Sequence, residues 1–94
     1  MIKHIVFWNL NEKEIEIATN LKTELEALNG KIEGLIKLEV GIDLSGKSSK
    51  ELALYSELEN FNALAVYQNH PLHQKVAKLV KANTTNREVI DYEI

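Results

Sequence analysis

The sequence predicts an α+β fold: a ferredoxin-like βαββαβ protomer, its antiparallel four-stranded sheet carrying helices on one face only. Three observations lead there. The opening stretch, Ile2 to Leu10, is apolar on both of its faces, whereas a strand wet on one side alternates with polar residues. Two long segments repeat their apolar residues at three- and four-residue spacing, as amphipathic helices do. The chain also divides into two similar halves, near 1–43 and 51–94, and the resulting order β-α-β-β-α-β is that of a split βαβ unit.

In the first strand Ile2, His4, Val6 and Trp8 share one face, and Ile5 and Phe7 the other. Asn11 is a suitable N-cap with Glu14 three residues on, the pattern of a capping box. The spacing then predicts a helix over 12–28, with Ile17, Ala18, Leu21, Leu25 and Leu28 in one stripe and Gly30 closing it. Leu35 to Asp43 alternates as a strand, placing Ile36, Leu38, Val40 and Ile42 together. Leu44 to Lys50 reads as a loop. Glu51 to Glu59 is the third strand, with Leu52, Leu54 and Leu58 on one side and Ala53 and Tyr55 on the other. Asn60 caps a short helix over 61–69. Pro71 biases His70 away from helical backbone and suits the first position of a new helix, 71–83. Thr84 to Asn86 should turn the chain into a last strand over 87–94.

Ninety-four residues make one domain, 1–94, the expected organisation. A domain this small buries only about 60% of its extended-chain surface. The helix-free sheet face, carrying Ile5, Phe7 and Tyr55 with Tyr92 and Ile94, would be a large wet apolar patch. A homodimer closed sheet to sheet by a two-fold axis removes it.

Composition excludes several functions. With no cysteine there is no disulfide or thiolate chemistry. A net charge of -3 gives no reason to bind nucleic acid. No apolar run reaches the ~18 residues of a membrane span, and Met1 to Trp8 lacks the marks of a secretory signal, so a cytoplasmic location is expected. Three histidines without an HExxH-type pairing do not make a zinc site. Gly30, Gly34, Gly41 and Gly46 form no phosphate-binding pattern. Neither a metal nor a cofactor is expected.

Titratable groups gather in Tyr67-Gln68-Asn69-His70-Pro71-Leu72-His73, which holds two of the histidines and the only proline. This segment, the opening Ile2-Lys3-His4-Ile5-Val6, the strand end Val40-Gly41-Ile42-Asp43 and the ending Val89-Ile90-Asp91-Tyr92-Glu93 resemble the stress-responsive A/B barrel (Dabb) domain family over essentially the whole chain. The resemblance implies a ferredoxin-like protomer that dimerises into an α+β barrel. It leaves activity open, because the family holds stress-associated plant proteins, a polyketide cyclase performing an aldol condensation, and many bacterial members without an assigned role.

In cyclase-like members the second histidine of the His-Pro-x-His run is the general base, and His73 matches it. Tyr67 matches the tyrosine that holds the developing oxyanion, and His4 a histidine lining the same pocket. At the third position of its helix, His73 meets the positive dipole end, which favours the neutral imidazole a base requires. Val6, Trp8 and Leu54 would share the helix-side pocket as ligand-binding residues. Each residue also has a plainer reading. His70 and His73 can serve only to end one helix and start the next. His4, Tyr67 and Trp8 can be core residues, with Trp8 filling the space a ligand would need. Two functions therefore stand: a dimer binding a small apolar or aromatic molecule, with acid–base chemistry by His73 and Tyr67, or a non-enzymatic dimer selected for its stability. A cavity of ~300 Å³ or more reaching both residues favours the first.

Overall fold

The computed structural model describes residues 1–94. The chain forms β1 (Ile2–Leu10), α1 (Ile15–Glu26), β2 (Leu35–Ile42), β3 (Leu52–Leu58), α2 (Phe61–Asn69), α3 (Pro71–Asn83) and β4 (Thr84–Glu93). The sheet order is β2-β3-β1-β4, and every neighbouring pair is antiparallel. This is the ferredoxin-like arrangement, with two βαβ halves interleaved. Val6, Trp8, Leu54 and Val40 from the sheet pack with Leu21 and Leu25 of α1, Tyr67 of α2 and Val80 of α3 in one buried cluster. No helix is long and apolar enough to cross a membrane.

Four expectations shift by a few residues, each for a local reason. α1 begins at Ile15 after Glu14, which makes no side-chain cap. Asn11 does not cap it, because its N–H donates to the Asn83 carbonyl (2.9 Å) and its side-chain amide to that of Ala82 (3.3 Å). Asn11 thus fastens the end of β1 to the end of α3. Ile36 points away from the core and is 52% exposed, because the register slips between Leu35 and Lys37 and gives Leu35 the place opposite Leu58. Glu51 lies outside β3 and is buried, its carboxylate accepting from the Leu10 N–H at 3.0 Å and the Asn9 amide at 3.1 Å. The expected turn at Thr84–Asn86 is already strand, bulged where Phe7 faces Glu88 but Asn9 faces Thr85. Asn86 absorbs the extra residue with a left-handed φ of 54°.

The two sheet edges differ. On β2, Asn29 pairs with Leu38 as a neighbouring strand would, accepting from its N–H (2.9 Å) and donating to its carbonyl (2.8 Å). One step along, Glu26 accepts from the Val40 N–H (2.9 Å) while Lys22 donates to the Val40 carbonyl (2.5 Å). Side chains of α1 and its following turn therefore close this edge at two successive outward positions, a protection exposed strands need. β4 has no such cover, and every residue from Thr85 to Glu93 is exposed. On the helix-free face Ile5 lies between Tyr55 and Ile90 in one cross-strand row, with Phe7 beyond it. Ile90 is 54% and Phe7 37% exposed.

Candidate functional site

His70 and Pro71 build the site by breaking one helix into two. Pro71 holds His70 extended, at φ -66° and ψ 135°. The His70 ring accepts from the Leu72 N–H through Nδ1 (3.1 Å), so it is the N-cap of α3. The plainer reading of this residue is the one the structure bears out.

The break turns α3 so that His73, in its first turn, comes back over the end of α2. His73 Nδ1 lies 3.2 Å from the Gln68 carbonyl. A carbonyl only accepts, so Nδ1 carries the proton and the neutral ring keeps its lone pair on Nε2. The His73 and Tyr67 rings are 4.3 Å apart between centroids, tilted by 48°. Burial is the main cause holding the His73 pKa below its ordinary value, opposed by the Gln68 hydrogen bond and assisted by the charges of His4, Arg87 and His70. The direction is the one the sequence suggests, while the leading cause is desolvation.

Tyr67 is almost wholly buried. Burial raises its phenol well above the ordinary tyrosine range, against a smaller opposing effect of the Arg87 charge. The hydroxyl therefore stays protonated and can donate. It makes no hydrogen bond within the chain, yet no buried polar atom is left without a partner. The oxygen consequently reaches open space. His4, on the buried face of β1, meets the Tyr67 ring edge-on with centroids 6.1 Å apart. Its Nδ1 is held by the Asp91 carboxylate from the neighbouring strand β4. That contact fixes the ring orientation and turns Nε2 away from Asp91.

These groups meet at a cavity of about 420 Å³ between sheet and helices, lined by His4, Val6, Trp8, Leu54, Tyr67 and His73. All six site residues named from the sequence thus lie on one wall system, and Trp8 lines the space without filling it. Sequence reasoning missed the other lining residues, among them Leu25 and Val80 from the helices and Lys81, Asn86 and Arg87 on the exposed side. Leu25 and Val80 were legible as core stripe residues. Arg87 follows from the alternation of β4, sharing a face with Val89 and Asp91, which stand opposite Val6 and His4 of β1. A second, shallower hollow near the 44–50 loop, lined by Phe7, Ser48 and Glu88 among others, contains no histidine or tyrosine.

A family model described as the stress responsive A/B barrel domain matches residues 2–94. The structure is similar to a dimeric protein of unknown function with a ferredoxin-like fold from Bacteroides fragilis. That protein is 31% identical with a TM-score of 0.89, over 99% of this chain and 95% of the other. It is also similar to a protein from Arabidopsis thaliana (23% identity, TM-score 0.86, over 100% of this chain and 95% of the other). A hydroxynitrile lyase from Passiflora edulis is 16% identical with a TM-score of 0.85, over 99% of this chain and 92% of the other. At these last two identities the likeness is one of fold alone. No protein of curated function matches.

Proposed function

The chain belongs to the stress responsive A/B barrel domain family, and from its cavity we propose that it binds a small apolar or aromatic carbonyl compound and moves a proton on it. The observation that carries this reading is the pairing of His73 and Tyr67 on one cavity wall. With Nδ1 engaged by Gln68, Nε2 of His73 is the atom able to take a proton from the carbon beside the carbonyl. The electrons move onto the carbonyl oxygen, and the Tyr67 hydroxyl donates a hydrogen bond to the resulting enolate. In an aldol-type closure the enolate carbon then bonds to a second carbonyl of the same molecule. The alkoxide so formed takes the proton back from His73. Val6, Trp8 and Leu54 supply the apolar floor, and His4, steadied by Asp91, the polar end of the wall.

The working unit in this reading is a homodimer joined through Ile5, Phe7 and Tyr55 with Ile90 and Tyr92. Support comes from the uncovered apolar row on the helix-free face and from the dimeric description of the Bacteroides fragilis relative. A chain without cysteine suits the reducing cytoplasm. The same exposed face, and the bareness of β4, support a second reading in which a stable dimer is the selected property and the cavity is incidental.

Acetophenone in deuterium oxide separates the two. The acid–base reading expects the wild type to exchange the methyl protons above the buffer rate, and His73→Gln to return exchange to that rate. Exchange at the buffer rate in the wild type, or unchanged exchange in His73→Gln, overturns it.

A further inference from the structure

The charges on the cavity wall are one-sided. Lys81 and Arg87 both line it, and no aspartate or glutamate does. The chain's ion pairs involve Lys13, Lys22, Lys37, Lys50 and His4, so Arg87 and Lys81 are both unpaired. Asp91, the carboxylate held by His4, is not on the wall. Arg87 is also the only arginine in the sequence. The β4 bulge at Asn86 interrupts the pairing with β1 just before it. Its charge acts on Tyr67 and on His73, lowering the pKa of each. Arg87 thus lines the same cavity as Tyr67 and His73, whose apolar floor strengthens the field of its guanidinium.

Resting on the reading that the cavity takes a small molecule, we propose that it selects anions: an apolar or aromatic body against Trp8, Val6 and Leu54, with an oxyanion head group on Arg87 and Lys81. A guanidinium presents paired donors in a fork that fits a carboxylate or a phosphate. Lys81 adds a point charge from the last turn of α3. There it also faces the carbonyl end of the helix, where a cation stabilises the helix itself. Arg87 has no such second task, so it carries the discriminating experiment. An anion docked there lies within reach of the groups proposed to bind and deprotonate a carbonyl compound. The ligand class becomes a keto acid, or a carbonyl compound bearing a phosphate.

The test compares three probes with similar apolar bodies on the full chain: phenylbutyrate, phenylpropylphosphonate and the neutral phenylbutyramide. Affinities are measured by calorimetry, and occupancy by NMR of the Trp8 indole and the His73 ring. The wild type should bind at least one anion about tenfold or more tighter than the amide, the size of one charge-assisted hydrogen bond. The tighter of the two anions identifies the head group. Arg87→Gln should bring anion and amide to within about twofold, and Arg87→Lys should keep most of the preference. If the amide binds as tightly as both anions while the Trp8 and His73 signals move, anion selection is wrong and the cavity reading survives. If no probe moves those signals, the cavity reading falls, and this proposal with it.

Discussion

Tyr67 and His73 belong to different helices, yet their rings lie 4.3 Å apart between centroids. Six positions of uninterrupted helix would place the two side chains on different sides of it. The His70–Pro71 break brings them together, and the His73–Gln68 hydrogen bond holds the second ring against the first.

The His73 ring should titrate below the free value of 6.5, because burial penalises its cation. NMR of the ring protons across pH reads this directly. Arg87→Gln should move the value upward by removing one nearby positive charge. A value at or above 6.5 would mean that burial does not disfavour the His73 cation. The stability consequence has a definite sign. As pH falls through about 6.5 the unfolded ring takes up a proton before the folded one does, so stability declines until the folded ring titrates. His73→Gln should flatten that part of the denaturation profile.

Tyr67→Phe should fold almost normally, losing less than ~1 kcal/mol, because the hydroxyl makes no hydrogen bond within the chain. Any proton-exchange activity should nevertheless fall by about tenfold or more, since the oxyanion donor is gone. Tyr67→Ala should instead cost ~3–5 kcal/mol by emptying a core position. Urea denaturation distinguishes them, and equal losses in the two variants would mean the hydroxyl has a structural partner.

Gly34→Ala should be destabilising by ~2–4 kcal/mol. The residue has φ of +86°, and an added Cβ would lie 2.6 Å from the Cβ of Ala63 on α2. Ala63→Gly in the same chain should recover only part of the loss, because it removes the clash and leaves the strained φ. Thermal denaturation of the single and double variants measures both contributions. Full recovery would mean that the clash alone matters.

Asn29→Ala should remove both partners of Leu38 on the β2 edge. The expected cost is ~1–3 kcal/mol, with slow aggregation at high concentration as that edge becomes available. Light scattering alongside denaturation tests the pair of effects. A fully stable, non-aggregating variant would show that solvent replaces the amide without loss.

Phe7→Glu, or Ile90→Glu on the neighbouring strand, should convert a dimer to monomer or aggregate by setting a charge in the apolar row of the open sheet face. Sedimentation velocity reads the outcome. An unchanged dimer in both variants would place the interface elsewhere.

Alternation and helical spacing are local properties, so the sequence by itself carried the order of seven elements. The two-faced character of β1 and the role of Pro71 in opening α3 were equally local. The family resemblance implied His4, Tyr67 and His73 as pocket residues, strand phasing put Val6, Trp8 and Leu54 beside them, and all six line the cavity. Other features depend on partners distant in the chain, and no periodicity reports them. Asn11 looked like a helix cap until Ala82 and Asn83 arrived beside it. Ile36 continued an alternating pattern until one slipped residue in β2 turned it outward. Arg87 joined the cavity because the pairing of β4 with β1 sets Val89 opposite Val6 and Asp91 opposite His4, which turns that face of β4 toward the helices. Hydrogen-bond partners and strand register are settled when separate segments meet, and for that reason tertiary packing alone decided the mouth of the site and the closing of the β2 edge.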